Sequence, residues 1–186
     1  MSKWRWLLLA CVCLVAGCID RTVSGGTTVF TFASWVLAVP VVVGLVLIGI
    51  GAVLVLSKKY IWGGIGLIVL GVGGIVFLVP MLAMTRVEVD DEHFVSTRGL
   101  PWAMSRDEEK FDDLANIEVE VTIHTRNGVE NGRNYALICT RKSGQVTTVP
   151  LGDLMRGASS DILTRAKRKG VPMPGITALP AELQPR

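Results

Sequence analysis

Two uninterrupted apolar blocks dominate the middle of the chain, Ala33 to Leu56 and Ile61 to Met84, each 24 residues long and free of charge. At about 1.5 Å rise per residue, a helix of that length crosses a ~30 Å hydrocarbon core with room for tilt. Only Ser57-Lys58-Lys59-Tyr60 joins the blocks, so the pattern predicts an antiparallel helical hairpin over residues 33–84, with spans 33–56 and 61–84. Glycines spaced by seven (44/51, 64/71, 66/73) return to one helical face after two turns and predict close backbone packing within the hairpin. Pro40 and Pro80 are candidate kinks, and the spans carry no charge that would mark an ion or proton pathway.

From Thr85 the apolar blocks give way to alternation. Ile117 to His124 is the clearest strand, with apolar and polar side chains on opposite faces. Arg86 to Val89 and Phe94 to Thr97 form a pair around the acidic turn Asp90-Asp91-Glu92-His93. Asn127-Gly128 and Asn131-Gly132 mark a long turn, Tyr135 to Thr140 returns as a strand, and Ser143-Gly144 leads into Gln145 to Val149. Six or seven short strands are expected in residues 85–170, followed by one helix. The helix is predicted to start near Ser159-Ser160-Asp161, whose side-chain oxygens can accept the first free N–H groups, and to end at Gly170. Residues 171–186, with prolines 172, 174, 180 and 185, read as a poorly ordered tail. Residues 18–32, between the opening segment and the hairpin, read as a polar spacer.

The opening changes the picture by its charge. Lys3 and Arg5 precede an apolar stretch, Trp6 to Val15, which ends at Ala16-Gly17-Cys18. A charged start, a short apolar centre and a small-residue exit make a signal-peptide layout over residues 1–17. Leu14-Val15-Ala16-Gly17-Cys18 resembles the lipobox of bacterial lipoproteins. That resemblance implies that Cys18 receives a diacylglyceryl thioether and becomes the new N-terminus. The alternative is an uncleaved anchor with Trp4 and Trp6 at the headgroup boundary. Cys11 and Cys13 form C-x-C rather than a zinc pair, and no carboxylate or histidine lies beside them. They read as apolar residues of the signal core.

Half the residues are apolar and 19% are charged, with a net charge of +3. Residues 85–186 hold 14 Lys+Arg against 15 Asp+Glu, which gives no basic excess to neutralise a nucleic-acid backbone. The basic excess therefore lies in the first 84 residues, where it acts as a topology signal. Lys3, Arg5, Lys58 and Lys59 favour the cytoplasmic side, which places residues 20–31 and everything after Thr85 outside.

A strand-rich sheet closed by one C-terminal helix behind a two-span hairpin resembles the bacterial pleckstrin-homology-like domains of small membrane proteins. The residues that carry the resemblance are Val87-Glu88-Val89-Asp90 with Phe94, the segment Phe111 to Ile117, and Ala166 to Val171, across roughly residues 60–171. It implies a mainly-β, α+β domain, a partly open barrel plugged by the helix and built for binding. Pleckstrin-homology domains that hold inositol phosphates use basic residues in the first strand turn. Here that turn is Asp90-Asp91-Glu92-His93, so headgroup recognition is not carried over.

Candidate chemistry is sparse. The chain has no G-x-S-x-G, H-E-x-x-H or phosphate loop, and neither a catalytic centre, a metal nor a cofactor is expected. His124 shares a strand face with Glu118 and Glu120, but a solvated polar face accounts for the set better than a catalytic pair. His93 sits in a polar turn without the spacing of a calcium loop. Cys139 reads as a buried thiol within a strand. Arg165, Lys167, Arg168 and Lys169 crowd the end of the last helix, where they complement its dipole or contact an anionic membrane. The expected partners are the lipid bilayer and a protein engaged along an open sheet edge. The sequence thus describes a non-enzymatic membrane-anchored scaffold, with an accessory subunit of an envelope transporter or enzyme complex as the alternative.

Overall fold

A computed structural model describes residues 19–58, 60–126 and 129–174, the side chains of 126 and 129–132 excepted. The signal segment, Cys18, Lys59 and most of the proline-rich tail lie outside the described residues. The fold is mixed α+β. Among the described residues, eight strands, β1 (Ile19–Ser24), β2 (Thr27–Phe32), β3 (Arg86–Val89), β4 (His93–Leu100), β5 (Ala103–Lys110), β6 (Leu114–Arg126), β7 (Val129–Arg141) and β8 (Val146–Pro150), accompany three helices. These are α1 (Ser34–Leu56), α2 (Ile61–Met84) and α3 (Asp153–Arg168), with a short 3-10 turn at Phe111–Asp113. The strands form a five-stranded sheet in the order β1-β2-β3-β4-β5 and a three-stranded sheet β6-β7-β8. They do not close into a barrel.

The described chain divides into two compact units. Residues 19–20, 31–85 and 98–104 make the first, and 21–30, 86–97 and 105–174 the second. In the first, α1 and α2 pack antiparallel as the glycine spacing predicts. A Cβ on Gly51 would lie 2.6 Å from the Gly64 carbonyl oxygen, and one on Gly71 2.6 Å from that of Gly44. Gly51 faces Gly64 and Gly44 faces Gly71, so each glycine admits the opposing backbone. The 66/73 pair has open space at both positions and takes no part. At the end of α1, Lys58 adopts a left-handed conformation (φ 55), while the Ser57 and Lys58 N–H groups donate to Val53 and Val55. Pro40 and Pro80 lie inside α1 and α2, which continue through them.

Residues 19–32 are not a spacer. Gly25 and Gly26, both with positive φ (58 and 90), turn β1 into β2, a two-residue hairpin loop that only glycine-like residues form without strain. Thr28 and Phe30 alternate inward and are buried. β2 is then the hydrogen-bonded neighbour of β3, although 53 residues separate Phe32 from Arg86. The pairing of β3 with β4 follows the expected acidic turn: Asp90 Oδ1 accepts from the Glu92 and His93 N–H groups at 2.8 and 2.7 Å.

The second unit is built around Val87, Val89, Phe94, Phe111, Ile117, Leu137 and Val149, all at most 1% exposed. The Phe94 and Phe111 rings lie 6.0 Å apart. The helix α3 begins two turns earlier than its polar triplet suggested. Leu154, Met155 and Ala158 extend the stripe of Ile162, Leu163 and Ala166, all buried, and burying that stripe outweighs a cap at Ser159. Ser159 is itself buried, its hydroxyl donating to the Arg156 carbonyl at 2.8 Å. The C-terminus falls where expected. Gly170 (φ 74) receives the turn, its N–H donating to Lys167 and that of Val171 to Ala166, a Schellman closure. Asn131-Gly132, read as a turn, lies within β7: Gly132 pairs with His124 and a register shift absorbs Asn131.

Candidate functional site

The fold divides the basic cluster at the end of α3, Arg165, Lys167, Arg168 and Lys169. Arg165 turns inward. Its side chain is 13% exposed, and its guanidinium donates to the Gly26 carbonyl (2.9 Å), Asp91 Oδ1 (2.9 Å) and Thr28 Oγ1 (3.1 Å). It therefore clamps the β1–β2 turn and the β3–β4 turn to the helix. Its spacing of three from Ile162 and seven from Ala158 puts it at the rim of the apolar stripe. Lys169 lies 3.6 Å from Asp112. Lys167 and Arg168 are exposed.

Beside this clamp lies an open cleft of about 130 Å³, lined by Arg21, Asp161, Thr164, Arg165 and Arg168. Arg21 comes from β1, within the segment read as a spacer. It donates to Asp161 at 2.8 Å and lies over the Phe30 ring, 5.9 Å from its centroid. Three arginines and one carboxylate thus line the cleft, and Arg21 and Arg165 have carboxylate partners in Asp161 and Asp91. What hid it from the sequence was the 140-residue separation of Arg21 from Asp161.

The remaining candidates resolve into structural roles. His93 Nδ1 lies 3.0 Å from Asp90 Oδ2, within its own turn. His124 Nε2 meets Asn134 Nδ2 at 2.9 Å across the β6–β7 ladder, and Glu118 accepts from Asn116 at 3.2 Å, so the His-Glu face is a set of local polar contacts. Among the described residues no three His, Cys, Asp or Glu side chains gather as metal ligands.

Cys139 sits in the centre of the three-stranded sheet, paired with Ile117 and Thr147, and is fully buried. Burial first, and the nearby Glu109 charge second, push its thiol up to about 12. Since the thiolate is the nucleophile, this thiol is inert at neutral pH. In a variant retaining Cys139 alone, maleimide labelling at neutral pH should be negligible in the folded protein and complete in denaturant. Rapid labelling without denaturant would contradict the buried assignment. The same shift sets an alkaline dependence. Between pH 9 and about 12 the unfolded chain binds fewer protons at this site than the native one, so stability falls with rising pH there.

Glu109 is the charged residue that sequence reading missed. It lies at the end of β5 at 2% exposure and receives a two-pronged contact from Arg141 of β7, Nε to Oε2 at 2.9 Å and Nη2 to Oε1 at 3.0 Å. Arg141 also donates to Gln145 Oε1 at 2.9 Å. The hydrogen bond and charge of Glu109 hold the guanidinium above its ordinary value. This pair joins an edge strand of the larger sheet to the central strand of the smaller one.

Compared with protein-family models and with curated proteins, the chain matches none.

Proposed function

We propose that this chain is a non-enzymatic membrane-anchored scaffold, which presents a pleckstrin-homology-like binding domain next to a bilayer crossed by α1 and α2. The observation that carries the reading is the β2–β3 pairing. β2 ends at Phe32, two residues before α1 begins, and β3 begins at Arg86, two residues after α2 ends. A hydrogen-bonded sheet cannot straddle a bilayer, so two spans that leave and return to one side are the arrangement this connectivity allows. Both helices are long and apolar enough to cross, and the side chains that a soluble core helix would bury are exposed, Val42, Leu45, Val53 and Leu70 among them.

The side is set by charge: Lys3, Arg5, Lys58 and Lys59 inside, both sheets outside. Lipidation at Cys18, one residue before β1 begins at Ile19, would pin that strand to the same surface. Retention does not need it, since two spans suffice. The alternative, an accessory subunit whose site is completed by a partner chain, predicts a stable larger complex on purification from membranes.

Protease accessibility tests the reading. In spheroplasts expressing the chain, external protease should remove residues 85–186, and the label from a radioactive fatty acid should disappear in Cys18→Ser. Protection of the C-terminal domain until the membrane is opened would overturn the orientation. Release of the intact chain by alkaline carbonate would overturn the spans.

A further inference from the structure

The β4–β5 turn is anomalous for the tip of a polar domain. From Gly99 to Ser105 the sequence is GLPWAMS, without a charge, between Arg98 and Arg106. Pro101 and Trp102 form the turn itself. Gly99 holds a positive φ of 113, and a side chain there would collide with the Ala103 carbonyl oxygen, so the tip is a tight, shaped structure. Yet its large side chains find no core: Trp102 is 64% exposed and Met104 52%.

This tip belongs to the same compact unit as the two apolar helices, and Trp102 stacks edge-on against Phe77 of α2, ring centroids 5.9 Å apart and planes at 84°. Phe77 lies seven residues before the end of α2 at Met84, which is about 10 Å along the helix axis. Trp102 is thus held at a depth that belongs to the span.

We propose that the β4–β5 tip, Leu100 to Met104, is a third membrane contact, inserted into the headgroup and upper acyl region of the bilayer beside α2. The proposal rests on the reading of α1 and α2 as spans. Its occupant is lipid, because the tip continues the apolar surface formed by exposed Phe77, Leu78 and Met81, and tryptophan is the side chain favoured where an apolar body meets a wet boundary. Such a contact gives the chain an attachment to the membrane besides its two spans.

Depth-dependent quenching tests this with the full chain reconstituted in phosphatidylcholine vesicles. Two variants keep one tryptophan each, Trp102 or Trp62, with the other four replaced by phenylalanine. Trp62, the second residue of α2 and 86% exposed, reports whether the hairpin is in the bilayer at all. Phospholipids brominated near the headgroup end of the acyl chain should quench Trp102 to the same order as Trp62, with blue-shifted emission at both. Quenching of Trp62 without Trp102 would overturn the tip insertion and leave the spans intact. Quenching of neither would overturn both. If the multiple replacements prevent folding, Trp102→Phe in the otherwise native chain should lower the lipid-quenchable fraction of the emission, and an unchanged fraction would overturn the proposal.

Discussion

Replacing Gly51 by leucine is expected to open the helical hairpin. The new Cβ would lie 2.6 Å from the Gly64 carbonyl oxygen and 2.8 Å from Ile68 Cγ1. Backbone oxygen cannot rotate aside as a side chain can, so the helices must separate or slide. Overpacking of a dense interior costs typically about 1–3 kcal/mol. A leucine against backbone belongs at or above the top of that range, because the separation also loosens the contact of Gly44 with Gly71. Gly66→Leu is the matched control, with the same change on the same pair of helices at a position with open space around it. In mild detergent, Gly51→Leu should lose thermal and protease resistance while Gly66→Leu behaves as the native chain. Equal behaviour of the two variants would show that the 44/71 and 51/64 contacts do not hold the hairpin.

The second large effect is expected at Arg141. Arg141→Met would leave Glu109, at 2% exposure, without the cation that donates to both its oxygens. An uncompensated buried carboxylate is strongly destabilising, and the unfolding midpoint should fall on the order of 10 °C or more. Changing both partners to apolar residues, Glu109→Leu with Arg141→Met, should recover much of the loss, since no buried charge then remains. Melting followed by circular dichroism measures both. If the single substitution melts like the native chain, the pair does not tie the sheets together. If the double variant is worse than Arg141→Met, the pair contributes more than mutual neutralisation.

Several elements were legible because their signals are local. The β3–β4 pair follows from Val87, Val89 and Phe94 alternating around an acidic turn, and the end of α3 follows from Gly170. The alternation rule failed where a strand has no apolar face to declare. β5 reads Ala-Met-Ser-Arg-Asp-Glu-Glu-Lys and exposes nearly every residue, a charged edge that discourages pairing with other chains. β1 and β2 carried a usable signal in Gly25-Gly26 followed by Thr28, Phe30 and Phe32, but their sheet partner is not among their sequence neighbours. The start of α3 was misplaced because Ser159-Ser160-Asp161 makes a good cap in isolation, and propensity yields to the burial of Leu154, Met155 and Ala158.

The sequence by itself determined the elements whose free energy is set within a few residues of chain. These are the two apolar helices, the glycine face that lets them approach, the alternating stretches 86–97, 117–124 and 135–149 and the glycine closure of the last helix. Tertiary structure alone decided which distant groups meet. It paired β2 with β3 across the helical hairpin, turned Arg165 from a surface cation into a clamp on two turns, brought Arg21 to Asp161, and buried Glu109 under Arg141. Each of those contacts joins residues more than 30 positions apart. The energy of such a pair depends on desolvation and geometry that exist only once both partners are held in the folded chain.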